Sequence, residues 1–248
     1  MTVPRTAPSK AAPTGPLRVA TWNIHSCTAG VQRVADLIRS LDADLIALQE
    51  VDRGTRRSGF TDQAATIARL AGYPEHRFFK AVDWRPGDYG VALLSRWPMT
   101  QARVGMLPCM RGTEQRILAS TLVEHPHGTL AVHVTHLTPM AARTNLRVLQ
   151  ARRVAHHLRD APAPQLLFGD FNDVPGSQVH RVIRDTLVDV FEAVGAGPGG
   201  TYDHWLLPAR RIELHRAWVV ATDASDHHAL AAEVRLPAQA RPLLAMIR

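Results

Sequence analysis

An aspartate and an asparagine close the stretch LLFGDFNDVPG (166–176). Asp170 and Asn172 stand either side of a phenylalanine, just before Pro175-Gly176 breaks the chain. Similar polar punctuation recurs. Asn23 and His25 follow one apolar run, Gln49-Glu50 another, and His133 and His136 lie near the end of a third. Asp203 opens a run near 203–207, and SDHH (225–228), which holds Asp226 and His227, precedes the last. Singly, each residue has a plain explanation, because Asp and Asn side chains bond nearby backbone groups in turns. Together they set acidic or amide groups at nearly every strand mouth, an arrangement that repels itself unless a cation is present. Oxygen donors with no cysteine among them suit a hard ion such as Mg2+ or Mn2+. A carboxylate free of the ion can hold or deprotonate an attacking water. A histidine beside a leaving group can give up a proton, and a carboxylate partner would keep it charged. The chemistry such a cluster suits is metal-assisted phosphoryl transfer.

These groups need strands to carry them. Periodicity predicts strands over 17–23, 44–51, 89–95, 116–125 and 129–137, a short one entering Asp170, and further strands near 203–207, 211–220 and 228–236. Pro126-His127-Gly128 reads as a hairpin between two of them. Helical spacing covers 30–41, 61–73 (with Thr61 or Asp62 as cap), 141–160 and a short segment near 177–185. His156 and His157 are expected on the long helix, one partly buried and one exposed. Helices alternate with strands, which predicts two sheets packed together with helices outside. No repeat or linker-like shift in composition separates halves. One domain is expected over 17–236, with a disordered lead-in over 1–16 and a tail over 237–248.

The chain has 248 residues, long enough for a large core. No run of apolar residues is long enough to span a membrane, and the N-terminus lacks the apolar stretch of a secretory signal. Cys27 and Cys109 match no metal or disulfide spacing. A cytoplasmic, monomeric protein with two reduced thiols is expected. The charge balance is +7, from 29 Lys+Arg against 22 Asp+Glu. Only Lys10 and Lys80 are lysines, and the arginines are scattered along the chain. Such a charge can attract phosphate polymers or anionic lipid, although a specific footprint would cluster on one face.

TWNIH, LQEVD, YGVALLSR, THL, GDFNDVPGS and SDHHAL occur in this order. Together they resemble the endonuclease/exonuclease/phosphatase superfamily of deoxyribonuclease I-like fold, in a bacterial-type member, over 17–236. The resemblance implies an α/β (α+β) fold: a four-layer α/β/β/α sandwich of two packed mixed β-sheets flanked by helices. It also implies a divalent-metal phosphoesterase using Mg2+ or Mn2+. Asn23, Glu50 and Asp226 are similar to the metal-side ligands. Asp170 resembles the residue that positions or activates water, and Asn172 one that bonds the phosphate. His227 resembles the phosphate-contacting histidine, Asp203 the carboxylate that orients it, and His136 a histidine near the leaving group. DRGTRRSGFTDQ (52–63) resembles a loop of bacterial members, which puts Arg53, Arg56 and Arg57 near the site mouth. Arg116 is a further candidate for substrate binding. Two departures stand out. Thr201 and Asp203 are nearly adjacent where many members have a longer loop, and Val51-Asp52-Arg53 replaces the lysine that follows QE in abasic-site endonucleases.

Three readings remain open. The first is a Mg2+-dependent phosphodiesterase or nuclease acting on a phosphate ester, with nucleic acid as one candidate substrate. The second is a phosphomonoesterase or lipid-headgroup hydrolase of sphingomyelinase or inositol-phosphate phosphatase type. The third is a decayed member that binds nucleic acid or protein, disfavoured because all the expected groups are present.

Overall fold

The computed structural model describes residues 15–126, 128–139, 143–159, 164–185, 187–193, 204–208 and 212–237. Among the described residues, eleven strands form two sheets. The first contains β1 (Leu17–Asn23), β2 (Leu45–Arg53), β3 (Glu75–Trp84), β4 (Gly87–Ser95), β10 (Glu213–Val220) and β11 (Ala229–Arg235). Its order is β10-β11-β1-β2-β4-β3. The second contains β5 (Met99–Met106), β6 (Ile117–His125), β7 (Gly128–His136), β8 (Gln165–Asp170) and β9 (His204–Pro208), in that order. Two pairs are parallel, β1 with β2 and β7 with β8, and the other pairs are antiparallel.

Each parallel pair needs a crossover, and a helix supplies it. α1 (Val31–Leu41) joins β1 to β2, and α3 (Thr144–Arg159) joins β7 to β8. α1 turns Val34, Ala35, Ile38 and Leu41 inward. α2 (Gln63–Ala71) starts at Asp62, whose carboxylate accepts from the Ala65 amide, and ends at Gly72 in the left-handed region. α4 (Gln178–Arg184) and the four-residue α5 (Val190–Ala193) complete the set.

Three apolar layers result. Val19, Ala47, Leu93, Val132, Val134 and Phe168 fill the space between the sheets. Trp22, Ile38, Leu48, Val51 and Ile67 pack the first sheet against α1 and α2. Leu118, Val154, Leu158, Leu167 and Phe171 pack the second against α3 and α4. This is the expected four-layer sandwich.

The described elements correct the sequence reading in places. β3 and β5 are strands that periodicity did not mark, and both are edge strands. β5 is exposed at every residue after Met99, so it has no buried face to leave an alternating pattern. His156 and His157 are both exposed, because α3 buries Val154, Ala155 and Leu158 instead. Residues 1–14, His127, Asp203 and 238–248 lie outside the described residues. Among the described residues, no helix is long and apolar enough to cross a membrane.

Candidate active site

Strand alternation decides which polar residues can meet. On β1, Val19 faces the inter-sheet core, so Thr21 and Asn23 face the same side. On β7, Val132 and Val134 face it and His136 follows. On β8, Leu166 and Phe168 face it and Asp170 follows. Three polar residues from two sheets thus arrive at one end of the inter-sheet layer.

Glu50 arrives differently. Strict alternation from Ala47 would turn it toward the helices. Instead the β2–β4 register shifts between Leu48 and Val51, and Glu50 takes φ 57°. This irregularity lets Gln49 bond Thr21 on the inner side while Glu50 also reaches Asn23. Val51 then returns to the helix side with Leu48. Bulges commonly re-aim a side chain beside a site. A left-handed conformation costs a non-glycine residue about 1–2 kcal/mol. His25, Ser26, Cys27 and Asn172 also have positive φ.

The centre is a carboxamide between two carboxylates. Asn23 Nδ2 donates to Glu50 Oε1 and to Asp170 Oδ2, each at 2.9 Å. Asn23 Oδ1 accepts from the His25 amide. Asn23 and Asp170 are buried, and Glu50 is half-buried. Asp170 Oδ1 accepts from the Asn172 amide at 2.9 Å, and His136 Nε2 lies 3.5 Å from Oδ2. Asn172 Nδ2 donates to the Leu137 carbonyl. Gly169, just before Asp170, is required by close approach: a Cβ there would meet the Thr135 carbonyl at 2.8 Å.

The loop holding Asp226 and His227 is tied to the end of β1. Ser225 Oγ donates to the Asn23 carbonyl, and Trp22 Nε1 donates to the His227 carbonyl. Asp226 is 58% exposed, with Oδ1 3.4 Å from His25 Nδ1 and 3.9 Å from His227 Nε2. The structure therefore brings Asn23, Glu50, Asp170, Asn172 and His136 together, with Asp226 and His227 on the adjoining loop. The expected His227–Asp203 pairing falls outside the described residues.

The four arginines differ. Arg53 is committed to Asp88 and lies over the Phe78 ring. Arg56 is exposed. Arg57 pairs with Asp52, a fully buried carboxylate, and lies near enough to Glu50 to feel its charge. Arg116 is buried, 3.3 Å from Glu114, and shares a small cavity with Tyr89 and His136. Sequence reasoning missed Asp52, Tyr89 and Glu114. Burial raises the Glu114 carboxyl pKa above the ordinary range; Arg116 opposes this and Glu50 adds to it. Burial likewise raises the Tyr89 phenol, with Glu50 adding. Neither residue type has a sequence signature in a loop or strand interior.

The Endonuclease/Exonuclease/phosphatase family model matches residues 20–227. The chain belongs to this family. Family members are hydrolases of phosphate esters, nucleases and phosphatases among them, and they generally use divalent metal ions; this chain is such a hydrolase. An endonuclease/exonuclease/phosphatase from Beutenbergia cavernae is 24% identical with TM-score 0.75, covering 90% of this chain and 72% of the other. The human Nocturnin catalytic domain, solved with a bound sulfate anion, is 20% identical with TM-score 0.73, covering 90% of this chain and 94% of the other. Protein cwh43 of Schizosaccharomyces pombe is 26% identical over 222 residues, 82% of this chain. The match spans only 21% of that curated relative's length.

Proposed function

We propose that this hydrolase is a Mg2+-dependent phosphodiesterase, with nucleases as the nearest activity class. The observation that carries the reading is the Asn23 carboxamide, held 2.9 Å from both Glu50 and Asp170 where the two sheets meet. Two carboxylates so close are a natural seat for a cation on one and a water on the other.

The donor chemistry fits a hard divalent ion. Glu50, Asp226 and the Asn23 amide oxygen would hold it, and none is sulfur. Among the described residues, no three of His, Cys, Asp and Glu gather at metal-binding separation. A small protein ligand set leaves most of the coordination shell to water and substrate, which is how Mg2+ is commonly bound. The ion would supply charge stabilisation at the phosphate.

The chain's own groups supply the rest. Asp170 would orient the attacking water and take its proton; the Asn23 and Asn172 hydrogen bonds fix both of its oxygens. An amide nitrogen carries two hydrogens. Asn172 gives one to Leu137, leaving the other for a phosphate oxygen. His227, oriented by Asp203, would bond the phosphate from the loop side. His136 would serve the leaving alkoxide.

The test is turnover of plasmid DNA, RNA, an aryl phosphodiester and several phosphomonoesters, with and without chelator. Diester cleavage that a chelator abolishes and Mg2+ restores is expected. Full turnover in metal-free buffer would overturn the metal reading. A lipid-headgroup hydrolase is the second reading. It is favoured by Phe60, Trp84, Met106 and Met110, exposed on strand ends and connections at the site end. Cleavage confined to lipid dispersions would promote it.

A further inference from the structure

We infer that Arg57 forms, against Trp84, a subsite for a second phosphate group of the substrate, beside the phosphate that is cleaved. The inference rests on the phosphodiesterase reading.

The guanidinium has two hydrogen-bonding edges in fixed geometry. Its Nε–Nη2 edge is already taken: Nε donates to Asp52 Oδ2 at 2.7 Å and Nη2 to Asp52 Oδ1 at 2.8 Å. Asp52 is fully buried and held again by Thr55 Oγ1 at 2.8 Å. One face of the cation lies 4.4 Å from the Trp84 ring centroid, and the Tyr89 centroid is 5.3 Å away. Among the described residues, nothing takes the other edge, Nη1 with the second hydrogen of Nη2. That edge suits two oxygens of a phosphate. The side chain is 40% exposed while Asp52 is not. A buried anion thus anchors a cation that points outward.

Such anchoring lowers the entropy lost on binding, because the side chain is ordered before the ligand arrives. The other two buried or paired arginines at the site end, Arg53 and Arg116, lack this combination. Arg53 spends Nε and Nη2 on a half-buried Asp88, and Arg116 is buried against Glu114. Arg57 feels the charge of Glu50, yet makes no ion pair with it at contact distance. It stands on the loop that follows β2, the strand that carries Glu50, on the side where a neighbouring phosphate of the same substrate would be met. Trp84, 41% exposed, adds an apolar surface beside it.

The experiment compares a dithymidine diester carrying or lacking a terminal phosphate. The wild type should favour the phosphorylated form in kcat/KM by about tenfold or more, the scale of one charge-assisted hydrogen-bond pair, with the difference in KM. Arg57→Ala could unfold the loop by stranding Asp52. The double substitution Asp52→Asn with Arg57→Gln instead exchanges the ion pair for an amide pair and should erase the preference. Trp84→Ala should weaken it. Equal treatment of both diesters by the wild type, or a preference that survives the double substitution, would overturn the subsite. Failure to cleave any diester would overturn the phosphodiesterase reading instead. The subsite then rests on binding of inorganic pyrophosphate: affinity lost in the double variant supports it, and unchanged affinity overturns it. Preference for a terminally phosphorylated dinucleotide over a base-free bisphosphorylated diester would identify nucleic acid as the phosphate's source. The reverse preference would identify a small phosphorylated ester.

Discussion

Glu50 and Asp170 share one carboxamide yet are assigned different work, and substitution should separate them. Glu50→Gln should weaken Mg2+ binding by about tenfold or more while circular dichroism stays unchanged. Asp170→Asn should cut turnover by about two orders of magnitude, with metal affinity less affected. Calorimetric titration distinguishes them: equal loss of metal in both variants would make Asp170 a ligand. The two residues also differ in how readily each can be read from the chain's pattern. Asp170 and Asn23 continue the alternation of their strands, so their facing follows from pattern. Glu50 does not, because its facing depends on φ 57° at one residue, and nothing in LQEVD encodes that turn of the backbone. Arg57 was legible as a charge near the site. Its anchoring by Asp52 was not, since that contact depends on the loop closing back over five residues.

Among the elements, β7 carries His136 toward the site and His133 toward α3. His133 is buried, with Nδ1 2.8 Å from Ser120 Oγ. Burial, then the charge of His157, pushes its pKa from 6.5 down to about 3. The unfolded chain accepts a proton near pH 6.5 that the folded chain refuses until about pH 3. Stability present above pH 6.5 should therefore drain away as pH falls toward 3, by up to about 1.4 kcal/mol per unit. Urea midpoints at neutral and mildly acidic pH should converge in His133→Gln relative to wild type; an identical pH dependence would remove His133 as the cause. β7 was readable because both its faces are buried in a regular alternation. β3 and β5 were not, because sheet edges tolerate polar and charged residues that blunt the period-two signal. The motifs found the strands that carry the site, and the edge strands that close the sheets left no comparable mark.

For the whole molecule, the +7 charge is spread too widely to reveal a footprint by composition. The fold narrows the search by placing Arg53 at the end of β2 and Arg56 and Arg57 on the connection that follows it, at the site end. Binding of single-stranded DNA should fall steeply with salt, and Arg56→Ala should reduce the slope of log affinity against log salt by about one counterion. An unchanged slope would place the nucleic-acid contact elsewhere. The hydrogen bond from Asn23 to Asp170 has a wider consequence. One partner is rooted in the first sheet and the other in the second, so the bond works as a gauge of the thickness of the layer between them. Leu93→Ala would thin that layer at a cost of about 2–5 kcal/mol, and Ile38→Ala, under α1, would hollow the outer layer at a similar cost. Well below either melting temperature, only the first should lower kcat. Catalysis would then register the interior's width even where stability does not distinguish one cavity from another.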